Sequence, residues 1–181
     1  MSENVERRRT VTWEDPAPGA EAAGKMSGLE YLRAIARGEL PGAPMAHLMG
    51  FWLSEIEEGR VVFEVEPAEY HYNPIGTVHG GLACTLFDSA MGCAVHTTLP
   101  AGTGYTTIEL KVNLLRAITA ETGRLLCEGK TVHVGGRIAT AEARLTDGAG
   151  RLYGHATTTC MIFREGSKER AVGEGGALRD A

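Results

Sequence analysis

The chain has 181 residues, of which 43% are hydrophobic and 23% charged, and its formal net charge is −5. This length suits one domain with loose ends, and the acidic balance argues against general nucleic-acid binding, which favours basic proteins. No apolar run approaches the ~20 residues that span a bilayer, and the N-terminus lacks the pattern of a secretory signal, so we expect a cytoplasmic protein without membrane contact.

The four cysteines lie apart from one another in apolar stretches, at Cys84, Cys93, Cys127 and Cys160. They form no C-x-x-C pair, and the six histidines show no spacing typical of ligands, so we expect neither a metal nor another cofactor. Free thiols in apolar surroundings are consistent with a reducing compartment. A G-x-S-x-G nucleophile elbow does not occur either.

Composition divides the chain into three parts. Residues 1–26 carry three consecutive arginines among acidic, proline and small residues, which predicts a flexible N-terminal arm. Residues 164–181 are charged and end in a glycine-rich stretch, which predicts a flexible C-terminal tail. The folded domain is therefore expected to span residues 27–163.

Four segments stand out in the first part of this domain. Residues 29–36 show the spacing of a short amphipathic helix that ends before Gly38. Residues 45–55 are apolar and predicted to be extended, and residues 60–66 alternate apolar and polar side chains as a strand does. Residues 80–96 carry apolar side chains at three- and four-residue spacing, which predicts one long, largely apolar helix.

Four strand-like runs follow this helix, at residues 106–114, 122–134, 137–145 and 152–163. The turn D-G-A-G at residues 147–150 is a strong hairpin signal. A single helix with so much apolar surface must be covered by a sheet that curves around it. The order of elements therefore predicts an α+β protein with the hotdog fold, in which a curved antiparallel sheet wraps around one long central helix.

Residues 73–88 join a Pro/Gly turn to the start of the long helix and contain the strongest functional signal. Gly80 and Gly81 place unpaired N–H groups at the helix N-terminus, with no Cβ to block a ligand. The helix dipole adds partial positive charge there, so a developing oxyanion would be stabilised. Asp88, eight residues after Gly80, would serve as base or nucleophile. The pair predicts cleavage of an ester or a thioester.

Asp88 points away from the part of the helix that is expected to face the sheet. It lies ~160–200° around the helix from Leu86 and Ala90, which mark that face. A carboxylate on the far side of a buried helix needs water, a cavity or a neighbouring subunit. A dimer interface would supply such surroundings.

The sequence N-P-I-G-T-V-H-G-G at residues 73–81, followed by Asp88, resembles the signature of the PaaI-like, phenylacetate-pathway branch of the hotdog acyl-CoA thioesterases. The resemblance covers the whole folded part, including the strand pair before the motif and the four strands after it. It implies hydrolysis of an acyl-CoA thioester to the free acid and CoA, without a metal or an organic cofactor.

The resemblance also implies roles for individual residues. The Gly80 N–H would donate to the thioester carbonyl oxygen, and Asp88 would act as general base on water or as a nucleophile through a transient anhydride. Asn73 would orient the attacking water or the carboxylate, and His79 would position the thioester. Thr107, on the first strand after the helix, matches a hydroxyl residue that supports the water or the carboxylate.

Further residues are expected to contact the substrate. Gly81 would offer backbone N–H at the helix start, Phe87 would line the acyl pocket, and Arg116 and Arg137 would lie near the CoA phosphates. The resemblance implies a homodimer in which the carboxylate of one subunit serves a site whose glycine and asparagine come from the other. It also implies a dimer of dimers.

A non-catalytic acyl-CoA-binding sensor module is the alternative from a different class. Residues 1–26 are too short and too mixed in charge for the DNA-binding segment that such a sensor would usually carry. A hotdog dehydratase acting on hydroxyacyl thioesters ranks last, because that chemistry needs an Asp/His pair at different spacing. The sequence leaves open the acyl group, its attachment to CoA or to a carrier protein, the role of Asp88 as base or nucleophile, and the arrangement of a tetramer.

Overall fold

The computed structural model describes residues 6–164. In this part of the chain the helices are α1 (Ala17–Ala23), α2 (Gly28–Ala36), α3 (Pro44–Met49) and α4 (Gly80–Thr97). The strands are β1 (Phe51–Glu57), β2 (Arg60–Val65), β3 (Thr103–Leu114), β4 (Leu125–Val134), β5 (Ile138–Asp147) and β6 (Leu152–Arg164). Short 3-10 turns lie at Glu69–His71 and Ala120–Thr122.

The strands of residues 6–164 form one antiparallel sheet in the order β1-β2-β4-β5-β6-β3, and α4 packs across one face of it. The core between sheet and helix consists of apolar side chains without solvent exposure, among them Val61, Val65, Phe87, Leu125 and Leu145. Two strands precede the long helix and four follow it, as predicted. The predicted α+β class and the hotdog fold are confirmed.

Helix α4 is covered unevenly along its length. Its C-terminal half packs against α2 so closely that a Cβ on Gly28 would lie 1.8 Å from the carbonyl oxygen of His96. Near the middle of the helix Asp88 is exposed, while Leu86 and Ala90 are buried against the sheet. The carboxylate therefore points away from the core, as the helical spacing predicts.

The segment before β1 differs from the prediction. We expected residues 45–55 to be extended, but helix α3 occupies its first half and β1 begins only at Phe51. Pro44 lies at the first helical position, where its missing N–H costs nothing. Gly50 ends the helix with φ 73°, a left-handed conformation that glycine adopts without strain. The predicted helix at residues 29–36 is confirmed as α2.

The sequence of residues 106–114 suggested a regular alternation of inward and outward side chains, but strand β3 does not alternate regularly. Its register against β6 shifts between Thr107 and Glu109, and the bulged residue Ile108 is 55% exposed. Before the bulge, Thr107 faces α4; after it, Leu110 and Val112 pack towards the core. Because the bulge inserts one extra residue, Thr107 before it and Leu110 and Val112 after it all lie on the inner face of the sheet.

Part of the predicted N-terminal arm is included in the described residues. It contains α1, and Gly24 accepts a hydrogen bond from the N–H of Gly102. Arg7 forms a 2.7 Å ion pair with Glu69, and Arg9 donates to the carbonyl oxygen of Leu48. The division into residues 1–26, 27–163 and 164–181 stays a prediction, and residues 165–181 of the predicted tail lie outside the described residues. Within residues 6–164 no helix has both the length and the hydropathy needed to cross a membrane.

Substituting Gly129 by alanine tests how closely β4 approaches α4. A Cβ at Gly129 would lie 2.4 Å from the backbone carbonyl atoms of Ala90, so the helix would have to move away from the sheet. We expect Gly129→Ala to lower the free energy of unfolding by about 1–3 kcal/mol in urea titration, as overpacking does. Gly148→Ala is the matched control, since a Cβ there meets no atom within 4 Å. Equal stability of the two variants would contradict this packing.

Candidate active site

A short hairpin leads into α4. Tyr72 and Val78 form an isolated antiparallel bridge, and the N–H of Asn73 donates to the carbonyl oxygen of Thr77 at 2.8 Å. Gly76, with φ 82°, allows the chain to reverse between the two arms. The second arm ends at the residue before Gly80, so the hairpin determines where α4 begins.

The side chain of Asn73 holds this hairpin together. Its Oδ1 accepts from the N–H of Ile75 at 3.0 Å, and its Nδ2 donates to Thr77 Oγ1 at 3.1 Å. Asn73 also lines the cavity beside Gly80. In this geometry its amide stabilises the turn, and the predicted role in orienting water or the carboxylate stays a prediction.

His79 caps the N-terminus of α4 with its imidazole. Its Nδ1 accepts a hydrogen bond from the N–H of Gly81 at 2.8 Å, so Nδ1 carries no proton and Nε2 does when the ring is neutral. The Gly81 N–H is thus engaged within the chain, although we predicted it for the substrate. Within residues 6–164 the Gly80 N–H makes no hydrogen bond. Gly80 therefore supplies the free donor at the helix N-terminus.

A cavity of about 360 Å³ lies beside Gly80. Its apolar lining consists of Val78, Ala83, Leu114, Leu115, Ala117 and Ile118, and its polar lining of Asn73, His79 and Arg116. The N–H of Gly80 is thus placed at a cavity that combines apolar side chains with convergent polar groups, a combination found in small-molecule sites.

The structure brings Asp88 and Thr107 together, and the roles predicted for them stay predictions. Thr107 Oγ1 donates to Asp88 Oδ1 at 2.8 Å, and the sulfur of Cys160 lies 4.0 Å from the same hydroxyl. The bulge at Ile108 makes this contact possible, because it turns Thr107 towards the helix. The hydroxyl orients one carboxylate oxygen, and within residues 6–164 the other accepts no hydrogen bond.

Gly80 and Asp88 are too far apart in one chain to act on the same carbonyl. Eight residues of α-helix separate them by about 12 Å along the axis. A donor to the oxyanion lies ~3 Å from it, and an attacking atom lies ~3 Å from the carbonyl carbon. Asp88 accordingly does not line the cavity at Gly80.

The other predicted substrate contacts are found in different places. Phe87 is completely buried in the core and lines no part of the cavity, so in this geometry it is a packing residue. Arg116 lines the cavity and donates through Nε to the carbonyl oxygen of Leu152 at 3.0 Å. Arg137 is exposed and lies immediately before β5. It is near the edge of the sheet where Thr106 of β3 is found.

Two partly buried groups near Asp88 are held neutral. Burial, and secondarily the charge of Asp88, raises the pKa of the Cys93 thiol to about 12. Burial, and secondarily the neighbouring Cys93, raises the pKa of Tyr105 well above its ordinary value. All four cysteines are free, as expected, and Cys93 stays a thiol at neutral pH rather than a nucleophilic thiolate.

Sequence reasoning missed the apolar wall of the cavity, which Leu114, Leu115 and Ile118 provide. Leu114 and Leu115 are each about half exposed. Two adjacent leucines at the end of a strand break the alternation of apolar and polar residues, and that was the available signal.

Comparisons with known proteins identify the family of this chain. A family model described as the thioesterase superfamily matches residues 75–153, which include the hairpin turn, α4 and β3 to β5. A candidate esterase of Saccharolobus solfataricus is 30% identical over 109 residues, which are 60% of this chain and 76% of that protein. The chain belongs to the thioesterase superfamily.

Three further proteins extend the comparison. A candidate esterase of Halobacterium salinarum is 41% identical over 69 residues, and this match spans 37% of the present chain but only 44% of that protein. A candidate thioesterase of Ralstonia eutropha, described as related to phenylacetic acid degradation, has 26% identity and a TM-score of 0.66, with 72% of this chain and 98% of that chain covered. A Streptococcus mutans protein solved with acetyl-CoA bound has 26% identity and a TM-score of 0.57, with 63% and 89% covered.

Substitutions of His79 separate helix capping from contact with a substrate. His79→Ala removes the acceptor for the Gly81 N–H, so we expect the free energy of unfolding to fall by about 1 kcal/mol. His79→Asn restores a good N-cap and should recover this stability in chemical denaturation. If alanine and asparagine gave equal stability, the imidazole would not be acting as the cap. Thioesterase activity that stays low in the asparagine variant would indicate a further role for the ring.

Proposed function

We propose that this member of the thioesterase superfamily hydrolyses acyl-CoA thioesters at a site shared by two copies of the chain. The free N–H of Gly80, at the N-terminus of α4 and beside a cavity with apolar and polar lining, carries the proposal. A thioester carbonyl placed there develops negative charge on its oxygen during attack, and one backbone donor of this kind typically contributes about 3 kcal/mol in the transition state. The acetyl-CoA bound to the Streptococcus mutans relative supports a CoA thioester as the substrate.

A second chain would supply the carboxylate. The helix separation of about 12 Å prevents Asp88 from reaching the carbonyl held by Gly80 of its own chain. Strand β3 lies at an edge of the sheet, where the outer N–H and C=O groups of its 12 residues are open to pairing with another strand. Two chains paired through β3 about a twofold axis would place Asp88 of each beside Gly80 of the other.

Contacts between α4 and β3 support this arrangement. At one end a Cβ on Gly80 would lie 2.7 Å from Leu114 Cδ1, and at the other end Asp88 accepts from Thr107. The helix and the edge strand thus run side by side. A twofold axis through their middle, near Cys84, would therefore bring Gly80 of one chain to Asp88 of the other. The interface is isologous, as in most homodimers. The dimer of dimers stays an expectation that light scattering would check.

The residues support two routes of hydrolysis. In the first, Asp88 takes a proton from water, the hydroxide oxygen bonds to the thioester carbon, and the Gly80 N–H stabilises the oxyanion. The carbon–sulfur bond then breaks, and the CoA thiolate takes the proton from the Asp88 carboxylic acid. In the second, a carboxylate oxygen of Asp88 bonds to the thioester carbon and the CoA thiolate leaves. Water then hydrolyses the resulting anhydride, which releases the free acid and restores the Asp88 carboxylate, and the proton freed from water goes to the thiolate. Thr107 orients the carboxylate in both.

The two arginines predicted to bind CoA lie near the two parts of this shared site: one is beside the Gly80 cavity, and the other is close to the part of β3 that contacts Asp88. Arg116 lines the cavity at Gly80. Arg137 precedes Ile138, which is separated from Thr106 of the edge strand by only one strand, or about 10 Å. In the proposed dimer, Arg116 of one chain and Arg137 of the other would therefore flank one substrate, where they match the negative charge of the CoA phosphates.

Replacing the carboxylate by an amide of the same shape tests the proposed chemistry. Asp88→Asn still accepts from the Thr107 hydroxyl but provides neither a base nor a carboxylate nucleophile. We expect turnover of a panel of aromatic and aliphatic acyl-CoAs to fall by at least about 10²–10⁴-fold, measured as thiol release, with the melting temperature unchanged. Full activity of this variant would remove Asp88 from the mechanism. If the wild-type protein bound acyl-CoA without releasing thiol, the sensor alternative would take first place.

Replacing Gly80 by proline tests the backbone donor. Proline is favoured at the first helical position, so Gly80→Pro removes the N–H while keeping the helix start. We expect kcat to fall by about 10²–10³-fold. Gly80→Ala is the matched control, because it adds a Cβ that also meets Leu114 but retains the N–H. Equal loss in both variants would mean that bulk, rather than the missing donor, lowers the rate.

Mixing the two inactive variants tests whether the site is shared. When Asp88→Asn and Gly80→Pro chains are co-refolded in equal amounts, each mixed dimer contains one site with an intact Gly80 and an intact Asp88. Random association then restores about a quarter of the wild-type activity. A site built within one chain predicts no recovery, since every chain would carry a defect.

A further inference from the structure

The hairpin that presents Gly80 is anchored at its first arm by a buried histidine that the chemistry above does not use. His71 is only 6% exposed. Its carbonyl oxygen accepts a hydrogen bond from the N–H of His79 at 2.8 Å, and this is the last bond between the two arms before α4 begins. The position of His71 therefore determines the position of the residue that precedes the free N–H.

Both ring nitrogens of His71 are engaged by the backbone. Nδ1 lies 3.0 Å from the N–H of Ala68, which can only donate, and Nε2 lies 2.7 Å from the carbonyl oxygen of Met49, which can only accept. These partners require a neutral ring with its proton on Nε2. A proton on Nδ1 would place two donors against each other and break the bond to Ala68.

The groups around His71 also oppose its protonation. Burial lowers the pKa of His71; the bond to Met49 opposes this effect, and the nearby Arg9 guanidinium adds to it. That guanidinium lies 4.0 Å from the centre of the Tyr70 ring, and the Tyr70 ring in turn contacts the imidazole. The neighbouring carboxylate, Glu69, is paired with an arginine of its own.

We propose that His71 is a positioning residue for the Gly80 N–H, and that its neutral imidazole holds the hairpin arm against α3 so that the donor faces the cavity. The inference rests on the proposed role of Gly80 as oxyanion donor. The ring touches neither substrate nor reacting atoms. It acts through the His71–His79 backbone bond, and it connects the end of α3 at Met49 with the start of α4.

This arrangement has a defined dependence on pH. The pKa of His71 in the folded protein is depressed, so the stabilisation by the neutral ring is complete above the ordinary value of about 6.5. It is lost as the pH falls through the lower, folded-state pKa. Acidification should therefore displace the Gly80 donor before the protein unfolds globally.

Two isosteric variants test the two ring nitrogens of His71 separately. His71→Asn places an amide oxygen where Nδ1 accepts from Ala68, and His71→Gln places an amide nitrogen where Nε2 donates to Met49. Neither side chain titrates. At about pH 8 we expect each variant to lose about 10–100-fold in kcat with little change in KM, because the donor is misplaced by a fraction of an ångström. His155→Gln, an exposed histidine on β6, is the control and should retain the wild-type rate.

The ratio of wild-type to His71→Asn activity is the decisive kinetic quantity. Any effect of pH that is common to both proteins cancels in the ratio. We expect the ratio to shrink as the pH is lowered from about 8 to about 5, because the wild type loses the neutral ring that the variant already lacks. A ratio that stays constant over this range, or kcat values equal to wild type at about pH 8, would overturn the inference.

A measurement without turnover separates this inference from the proposed activity. In protein labelled with ¹⁵N-glycine, the Gly80 amide resonance is identified by its loss in Gly80→Ala. We expect it to shift with the same midpoint as the His71 ring signals, and to lose that inflection in His71→Asn but not in His155→Gln. A Gly80 resonance that ignores the His71 titration would refute the positioning role even in an active enzyme. A shifting resonance in a protein without thioesterase activity would refute the proposed function alone.

Discussion

The close approach of α4 to the sheet at Gly129 is the constraint on which the remaining geometry depends. Because this strand residue has no side chain, the helix backbone lies almost in contact with β4. Gly92 similarly admits the ring of Tyr105 against the helix. A helix held at this depth is fixed against the sheet, and its two candidate catalytic positions, Gly80 at the N-terminus and Asp88 near the middle, keep a constant separation. The proposed site uses that separation directly.

The backbone N–H groups at the start of α4 serve both the helix cap and the proposed oxyanion site. Of the N–H groups that any helix leaves unpaired, His79 satisfies the one at Gly81 and leaves the one at Gly80. The cap and the free donor are thus consequences of one arrangement, and the hairpin with Asn73 and His71 keeps it in place. The proposed donor is part of the folded backbone rather than a mobile side chain, so no reorganisation would be needed when charge develops.

Much of this could be predicted from the sequence, because periodicity reports directly on burial. The long helix and the number of strands follow from apolar spacing, and the outward direction of Asp88 follows from 3.6 residues per turn. The bulge in β3 could not be predicted, because it changes the face on which Thr107 lies while leaving no distinctive residue type in the strand sequence. Helix α3 was missed because six residues show too little periodicity. Whether Asn73 and the Gly81 N–H face a ligand or their own turn depends on hydrogen-bond partners, which spacing does not reveal.

The two edges of the sheet differ in a way that affects assembly. Within residues 6–164, strand β3 offers a long row of unpaired backbone groups on its outer side. Strand β1, at the opposite edge, changes register after Leu53 and carries Glu55 and Glu57, which both form ion pairs with Arg60. Irregular, acidic edges resist the addition of another strand. Two chains joined through β3 would expose only β1 at both ends of the combined sheet. Such a sheet can be extended once and then stops growing, which protects a strand-rich protein from forming fibres.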